Sequence, residues 1–461
     1  MLIVFLISFQ NSYTQNFVFS EPQKSRRANY QIEMVRGNNQ KLLILQEHNK
    51  MFRKFLSIER YSEQLHLESK VQIPFESEIL SECFEHQNKV YILSTVFDRI
   101  TRRSATRVRL LNKDLKLQKK MLVDTLLHTI SMDQQMQSIK LKNKDIICSF
   151  SIDNERNGAT AYMKIKIFDL SFEKIKEVKI SLPIEKTNTS IDKILESKNG
   201  LLYFILSNTG RKSQSVYCLV FDWEKEIFTT LQIDRLIKKT PSTIHTLLEE
   251  NPRKNEVFLA SSFAKSKGEK NQNMLLLQFK DSLGAEPTTK TFLFNEDLDN
   301  PIRRKAKNRF KDLVPKHLLF FSDSSLCLLS EETIVESLTS IDYVNNTPVI
   351  RNQEVYFFGN VVAFFLNRQL EVVGRDTLLK NQTTTNDQGI FSSFALVKKG
   401  DEFRLLLNGL KRNQGVIGCD FSRKGFGTFS EFSGPILSQA IFSPQQLKQF
   451  SDGTFLVQFF L

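Results

Sequence analysis

A chain of 461 residues that is 41% hydrophobic and 25% charged has the apolar content for a large core, which excludes a disordered protein. Its 17 Gly and 11 Pro lie far below the roughly 7% and 5% of ordinary usage, which excludes collagen-like and low-complexity classes. Lys and Arg number 64 against 51 Asp and Glu, a net charge of +13, and 39 Phe in short apolar runs point to a protein built of strands.

The first fifteen residues, MLIVFLISFQNSYTQ, carry an apolar run from Leu2 to Phe9 and then Ser12 and Thr14 at small-residue positions before a cut ahead of Gln15. This resembles a secretory signal peptide, with a first β-strand of the mature chain as the competing reading. Eight apolar residues are too short to span a bilayer, which takes ~20, and no later stretch qualifies. The expectation is an exported protein, secreted or held in the periplasm or cell envelope, without a transmembrane segment.

From there one pattern recurs seven times. An alternating strand meets a polar turn (RGNNQ, EHQN, KNK, SKNG, NPRKN, SDSS, KKGD) and then a more continuously apolar strand, such as KLLILQEHN from Lys41 or LLYFILSNT from Leu201. The turns recur at spacings of 49 to 76 residues. A hairpin follows, as in RVRLLNKDLKLQKKMLV from Arg107 and VVAFFLNRQLEVVGRDTLL from Val361. Seven units of four antiparallel strands predict an all-β fold, a seven-bladed β-propeller, with β-sandwich modules as the alternative. Residues 16–461 then form one domain of units 16–75, 76–124, 125–184, 185–235, 236–297, 298–380 and 381–461. In the sixth unit RNQ at Arg351 competes with SDSS as the turn. Ring closure can use Asn16 to Phe19 or the final strand from Thr454, and the pattern does not choose.

No Gly-rich phosphate loop, GxSxG or HExxH occurs, and the six His are scattered, so no cofactor, metal or nucleophilic site is expected. Cys83, Cys148, Cys218, Cys327 and Cys419 lie inside apolar strands without CxxC spacing and read as buried free thiols. The pairs Glu249 and Glu250, and Glu331 and Glu332, read as solvated charge, because strand neighbours face opposite ways and are poorly placed for acid–base work.

In a propeller the loops from second to third strands and the links between blades open on one face. Four such loops hold sixteen basic residues against four acidic ones: Asp98 to Arg107, Asn208 to Ser215, Ala264 to Asn273 and Asp299 to Lys316. The candidate binding residues are Arg99, Arg102, Arg103, Arg107, Arg211, Lys212, Lys265, Lys267, Arg303, Arg304, Lys305 and Lys307. Such a face attracts polyanions. The loops lack the interleaved aromatics of base-stacking surfaces, Phe310 apart, which argues against nucleic acid.

The segment from Val361 has an apolar strand and hairpin, then Lys380 to Gln382, Asn386 to Gly389, Phe391 to Phe394 and an apolar strand closing on Asn408. In that order it resembles a family of uncharacterised exported proteins from Bacteroidetes-type bacteria, over about the last quarter of the chain. Val373 stands near the place of that family's Trp. The resemblance implies export and carries no activity.

The leading expectation is a non-enzymatic exported propeller whose basic loop face binds an anionic partner, a surface glycan or an acidic protein. The alternatives are a polysaccharide lyase or hydrolase with its chemistry at the central pore, and a scaffold subunit of an envelope assembly.

Overall fold

The computed structural model describes residues 2–9, 15–19, 28–36, 41–50, 53–98, 100–101, 103–127, 136–142, 144–153, 160–185, 189–209, 214–236, 244–263, 273–280, 283–293, 312–344, 347–387, 389–409, 415–431, 441–450 and 455–460. They are almost entirely strand, with one helical turn at Ile233–Leu236 and a 3-10 turn at Pro444–Gln446. Among them no helix is long and apolar enough to cross a membrane.

Among the described residues, seven antiparallel meanders follow one another, here blade 1 (28–74), blade 2 (78–127), blade 3 (136–185), blade 4 (189–232), blade 5 (244–293), blade 6 (313–385) and blade 7 (395–431). Each of the seven polar segments falls between the first strand of a blade and its second, those at 37–40 and 143 lying outside the described residues. EHQN does so with Gln87 and Asn88 both at positive φ, as a two-residue hairpin with the right-handed strand twist requires. In blade 6 the turn is SDSS, between Leu313–Phe320 and Leu326–Val344, while Arg351 lies inside the strand Thr347–Leu366.

An eighth sheet joins the two ends of the chain, in the order Gln15–Phe19, Leu2–Phe9, Phe455–Phe460, Ile441–Phe442. Leu2–Phe9 is therefore a strand here, with Phe5 opposite both Phe19 and Val457. Both candidates for ring closure are used, and Ile441–Phe442, Lys448–Gln449 and Phe455–Phe460, expected in the seventh unit, belong to this terminal sheet.

Neighbouring blades share apolar clusters. Phe150 of blade 3 meets Phe204 of blade 4 edge-on at 4.9 Å, and Leu456 of the terminal sheet packs with Leu42, Ile44 and Tyr61 of blade 1. On the other side Asn408 of blade 7 donates to the Phe442 carbonyl (2.8 Å) and accepts from the Phe442 N–H (2.9 Å), which closes the ring. First strands contact one another from blade to blade, so they are innermost and surround the axis.

A second repeated turn joins the third and fourth strands: Ser-Glu-Gln-Leu at 62–65, Asn-Lys-Asp-Leu at 112–115, Asp-Leu-Ser-Phe at 169–172 and Asn-Arg-Gln-Leu at 367–370. In the last three the Asx side chain accepts the N–H groups two and four residues on. Its fourth residue sits at φ of 58 to 72° and is buried in the cleft to a neighbouring blade. A bulky L-residue there costs about 1–2 kcal/mol, less than the roughly 2–5 kcal/mol at stake in burying it.

Blade 6 departs from the others. Its second and third strands keep pairing from Leu326 opposite Leu366 to Val344 opposite Thr347, with one register shift between Glu331 and Thr333, so a two-stranded arm extends beyond Glu332. Gln382–Thr385 pairs with the base of this arm at Val355–Phe358. All five cysteines are buried free thiols, and burial pushes Cys218 up to about 12 and Cys419 to about 11.

Candidate functional site

The innermost strands of blades 2, 4 and 6 each contain one extra residue relative to their partners: Ser81, Asp192 and Lys316. A bulge of this kind re-aims side chains. In blade 6 it follows Pro315, which has no N–H to give to a ladder and is at home on an edge strand beside a bulge. The outcome is a group of ionisable residues from three consecutive inner strands: Asp192 and Lys193 of Thr189–Glu196, His245 and Glu249 of Ile244–Glu250, and Lys316 and His317 of Leu313–Phe320.

Hydrogen bonds between blades hold these strands. Glu249 accepts from the Leu318 N–H (3.2 Å) and lies 3.7 Å from His317 Nδ1. Gln137 of blade 3 donates to the Ile191 carbonyl at 2.6 Å. Asp192 accepts from Ser190 (2.8 Å) and Ser207 (3.0 Å), which leaves its carboxylate partly open to solvent.

Lys316 is the electrostatic hub. Burial drives the Lys193 ammonium below its ordinary pKa; Glu249 and Asp192 oppose this, and Lys316 adds to it. Burial likewise lowers His245, with Asp312 opposing and Lys316 adding. Both side chains are thus pushed toward forms that accept a proton, next to a lysine whose cation suits an acid group.

Behind Lys316, at the junction of blades 6 and 7, lies a buried pair. Lys380 and Glu331 have no side-chain exposure and meet at 2.7 Å, and Glu331 also accepts from Ser393 (2.6 Å). Glu331 is therefore not solvated charge, which corrects the expectation from its sequence neighbours. Glu250 and Glu332 are not free either: Glu250 accepts from the Lys198 N–H (2.6 Å), and Glu332 from the N–H and side-chain amide of Asn360 (2.9 Å each). Adjacent glutamates do face opposite ways, but both directions lead to a partner within the ring.

Of the twelve basic residues expected on the loop face, Arg103 and Arg107 are described. Arg103 is exposed at the start of the strand Arg103–Leu111. Arg107 lies within that strand and pairs with the buried Glu78, so it does not present its charge from a loop. Burial pushes the Glu78 carboxyl up, but Arg109, Ser94 and Arg107 outweigh it and hold it low. Arg99, Arg102, Arg211, Lys212, Lys265, Lys267, Arg303, Arg304, Lys305 and Lys307 lie outside the described residues. The strand ends that bracket their loops, such as Asp98 with Arg103 and Phe263 with Asn273, are at the same end of the ring as His245.

Asp192, Lys193, His245 and His317 escaped the sequence analysis because they sit singly or in pairs in otherwise apolar strands, whereas Lys316, counted there with the loop from Asp299, lies in the strand Leu313–Phe320, and Glu249, taken there as solvated charge, ties blade 5 to blade 6. Pro315 was the available signal, since proline inside such a run marks an edge and a bulge. A separate cavity of about 260 Å³ between blades 4 and 5, lined by Tyr203, Cys218, Phe279 and Pro287, holds no such cluster. Among the described residues no group of His, Cys, Asp and Glu is placed to hold a metal ion.

No protein-family model and no curated protein matches the chain. Solved structures similar to it include a polysaccharide lyase (12% identity, 82% of this chain and 89% of that one, TM-score 0.39). An α-L-arabinofuranosidase from Fusarium graminearum is similar at 11% identity over 73% of this chain and 96% of that one, TM-score 0.37. A eukaryotic initiation factor is similar at 8% identity over 94% and 96%, TM-score 0.35. Likeness at these values assigns no activity to the chain.

Proposed function

We propose that the protein acts on an anionic saccharide at its axis, as a lyase or hydrolase, and that the basic loops around that end of the ring gather the polymer. The reading rests on one observation: Lys193 and His245, both biased by burial toward proton acceptance, share the axis with Lys316. Removing a proton beside a carboxylate requires a base that is neutral at working pH and a cation against the acid group. The Ser190, Ser207 and Asp192 cluster adds the alternating donors and acceptors that sugar hydroxyls need. The resemblance of the last quarter of the chain to exported proteins supports an activity outside the cytoplasm, within the same proposal.

The test is to incubate the whole chain with uronate-containing and neutral polysaccharides, following new reducing ends and the absorbance of unsaturated uronate. Lys193→Met or His245→Gln should slow product formation about 100-fold or more, the contribution of a positioned base. Binding by calorimetry without product, unaffected by these changes, would return the protein to the non-enzymatic loop-face reading.

A further inference from the structure

Three lysine and glutamate side chains behind the axis form a chain of contacts with unequal lengths. Glu331 is 2.7 Å from Lys380 and 3.4 Å from Lys316. Lys380 is enclosed, while Lys316 keeps a quarter of its side-chain surface exposed. Lys380 Nζ also donates to Gln382 Oε1 (3.0 Å) and toward the Phe358 carbonyl (3.5 Å). Both ammonium groups also lie near the Phe358 ring, Lys316 at 5.4 Å and Lys380 at 5.8 Å from its centroid. Glu332 is turned to Asn360. The Glu331 carboxylate is thus occupied by Lys380 and Ser393, and Lys316 is held at its margin.

We infer that Lys380 is a positioning residue that neutralises Glu331 and so leaves the charge of Lys316 available to an acid group at the axis. A buried carboxylate with a single lysine in reach would take that lysine as its ion-pair partner. With Lys380 present, the pair holds Lys316 in place without consuming it. This deepens the proposed function by assigning Lys316 the substrate's acid group, and it rests on that reading for the identity of the ligand.

The test compares Lys380→Met, the double variant Glu331→Gln with Lys380→Met, and wild type. The first readout needs no ligand: the rate at which an amine-acetylating reagent labels Lys316, followed by mass spectrometry. Lys380→Met should label several-fold more slowly as Glu331 captures Lys316, and the double variant should return to the wild-type rate or above. The second readout is calorimetric binding of a galacturonic-acid oligomer, expected to weaken about tenfold in Lys380→Met, the loss of one charge-assisted hydrogen bond, and to recover in the double variant. A purely structural Lys380 predicts no recovery, and unchanged labelling in Lys380→Met or slow labelling in the double variant overturns the inference. If Lys380→Met alone does not fold, the double variant, which removes both buried charges, decides by the same labelling rate. Wild type that binds no oligomer, with the labelling pattern intact, overturns the proposed substrate and leaves the role of Lys380 standing.

Discussion

Leu115 provides a sharp test of how the blades are joined, because its backbone and its side chain make opposite demands. It sits at φ 58°, is 1% exposed, and packs in one cluster with Leu43, Leu45 and Ile58 of blade 1, Phe75 of the link that follows it, and Val90 and Ile92 of blade 2. Leu115→Ala deletes most of that packing, at about 2–5 kcal/mol, and keeps the left-handed strain. Leu115→Gly deletes one further methyl, about 0.8 kcal/mol, but releases roughly 1–2 kcal/mol of strain. Glycine should therefore be the more stable variant by up to about 1 kcal/mol, although it is ordinarily the worse by roughly 0.5–1 kcal/mol in a strand. Leu93, fully buried on the extended second strand of blade 2, is the control, where alanine should be the better replacement. Urea-unfolding midpoints at constant slope measure both pairs. Alanine equal to or above glycine at position 115 would refute the argument that cleft burial outweighs backbone strain in these turns.

On the turn face, Asp401 of blade 7 accepts from Ser322 of blade 6 and from Arg253 of blade 5 (2.7 Å), and Arg423 joins it at 3.0 Å. The Ser322 hydroxyl first, then Arg253, hold its carboxyl far below the ordinary range, and Asp323 is lowered by Ser325. A depressed folded value means the stabilisation is complete above the unfolded pKa of ~3.9 and fades as pH falls below it. Thermal midpoints should drop on acidification through this window, less steeply in Asp401→Asn; equal slopes would exclude Asp401 as a contributor. Removing residues 1–10 takes out the strand that bridges Gln15–Phe19 and Phe455–Phe460, baring a sheet edge. The truncated chain should melt earlier and self-associate in light scattering, and an unchanged midpoint with a monodisperse sample would show that the terminal sheet does not need this strand.

The blades were legible because their information is local. A short turn such as His86-Gln87-Asn88-Lys89 fixes a hairpin through residues that tolerate positive φ, and apolar alternation fixes which face is buried. The Asx-x-x-Leu turns were equally local but hard to notice, since their defining residue is a leucine in a conformation that leucine avoids; only the cleft between blades explains it. Arg107 and Arg109 alternate with Val108 and Leu110 in strand fashion, so the place of Arg107 in a strand and not on the loop face could have been read from the sequence. Their capture by Glu78, 29 and 31 residues away, could not.

The axial site belongs to the other class. Asp192, His245, Glu249 and Lys316 come from strands about 50 to 70 residues apart, and only the closed ring sets them together. The same closure governs which charges stay available there. Inner-strand carboxylates such as Glu82, Glu249 and Glu250 accept backbone N–H groups of a neighbouring blade, so they act as ties between blades. Lys380 and Ser393 satisfy Glu331 from the junction with blade 7. Among the axial groups, Lys193 and His245 are the ones that burial biases toward proton acceptance, and Asp192 keeps its carboxylate open to solvent.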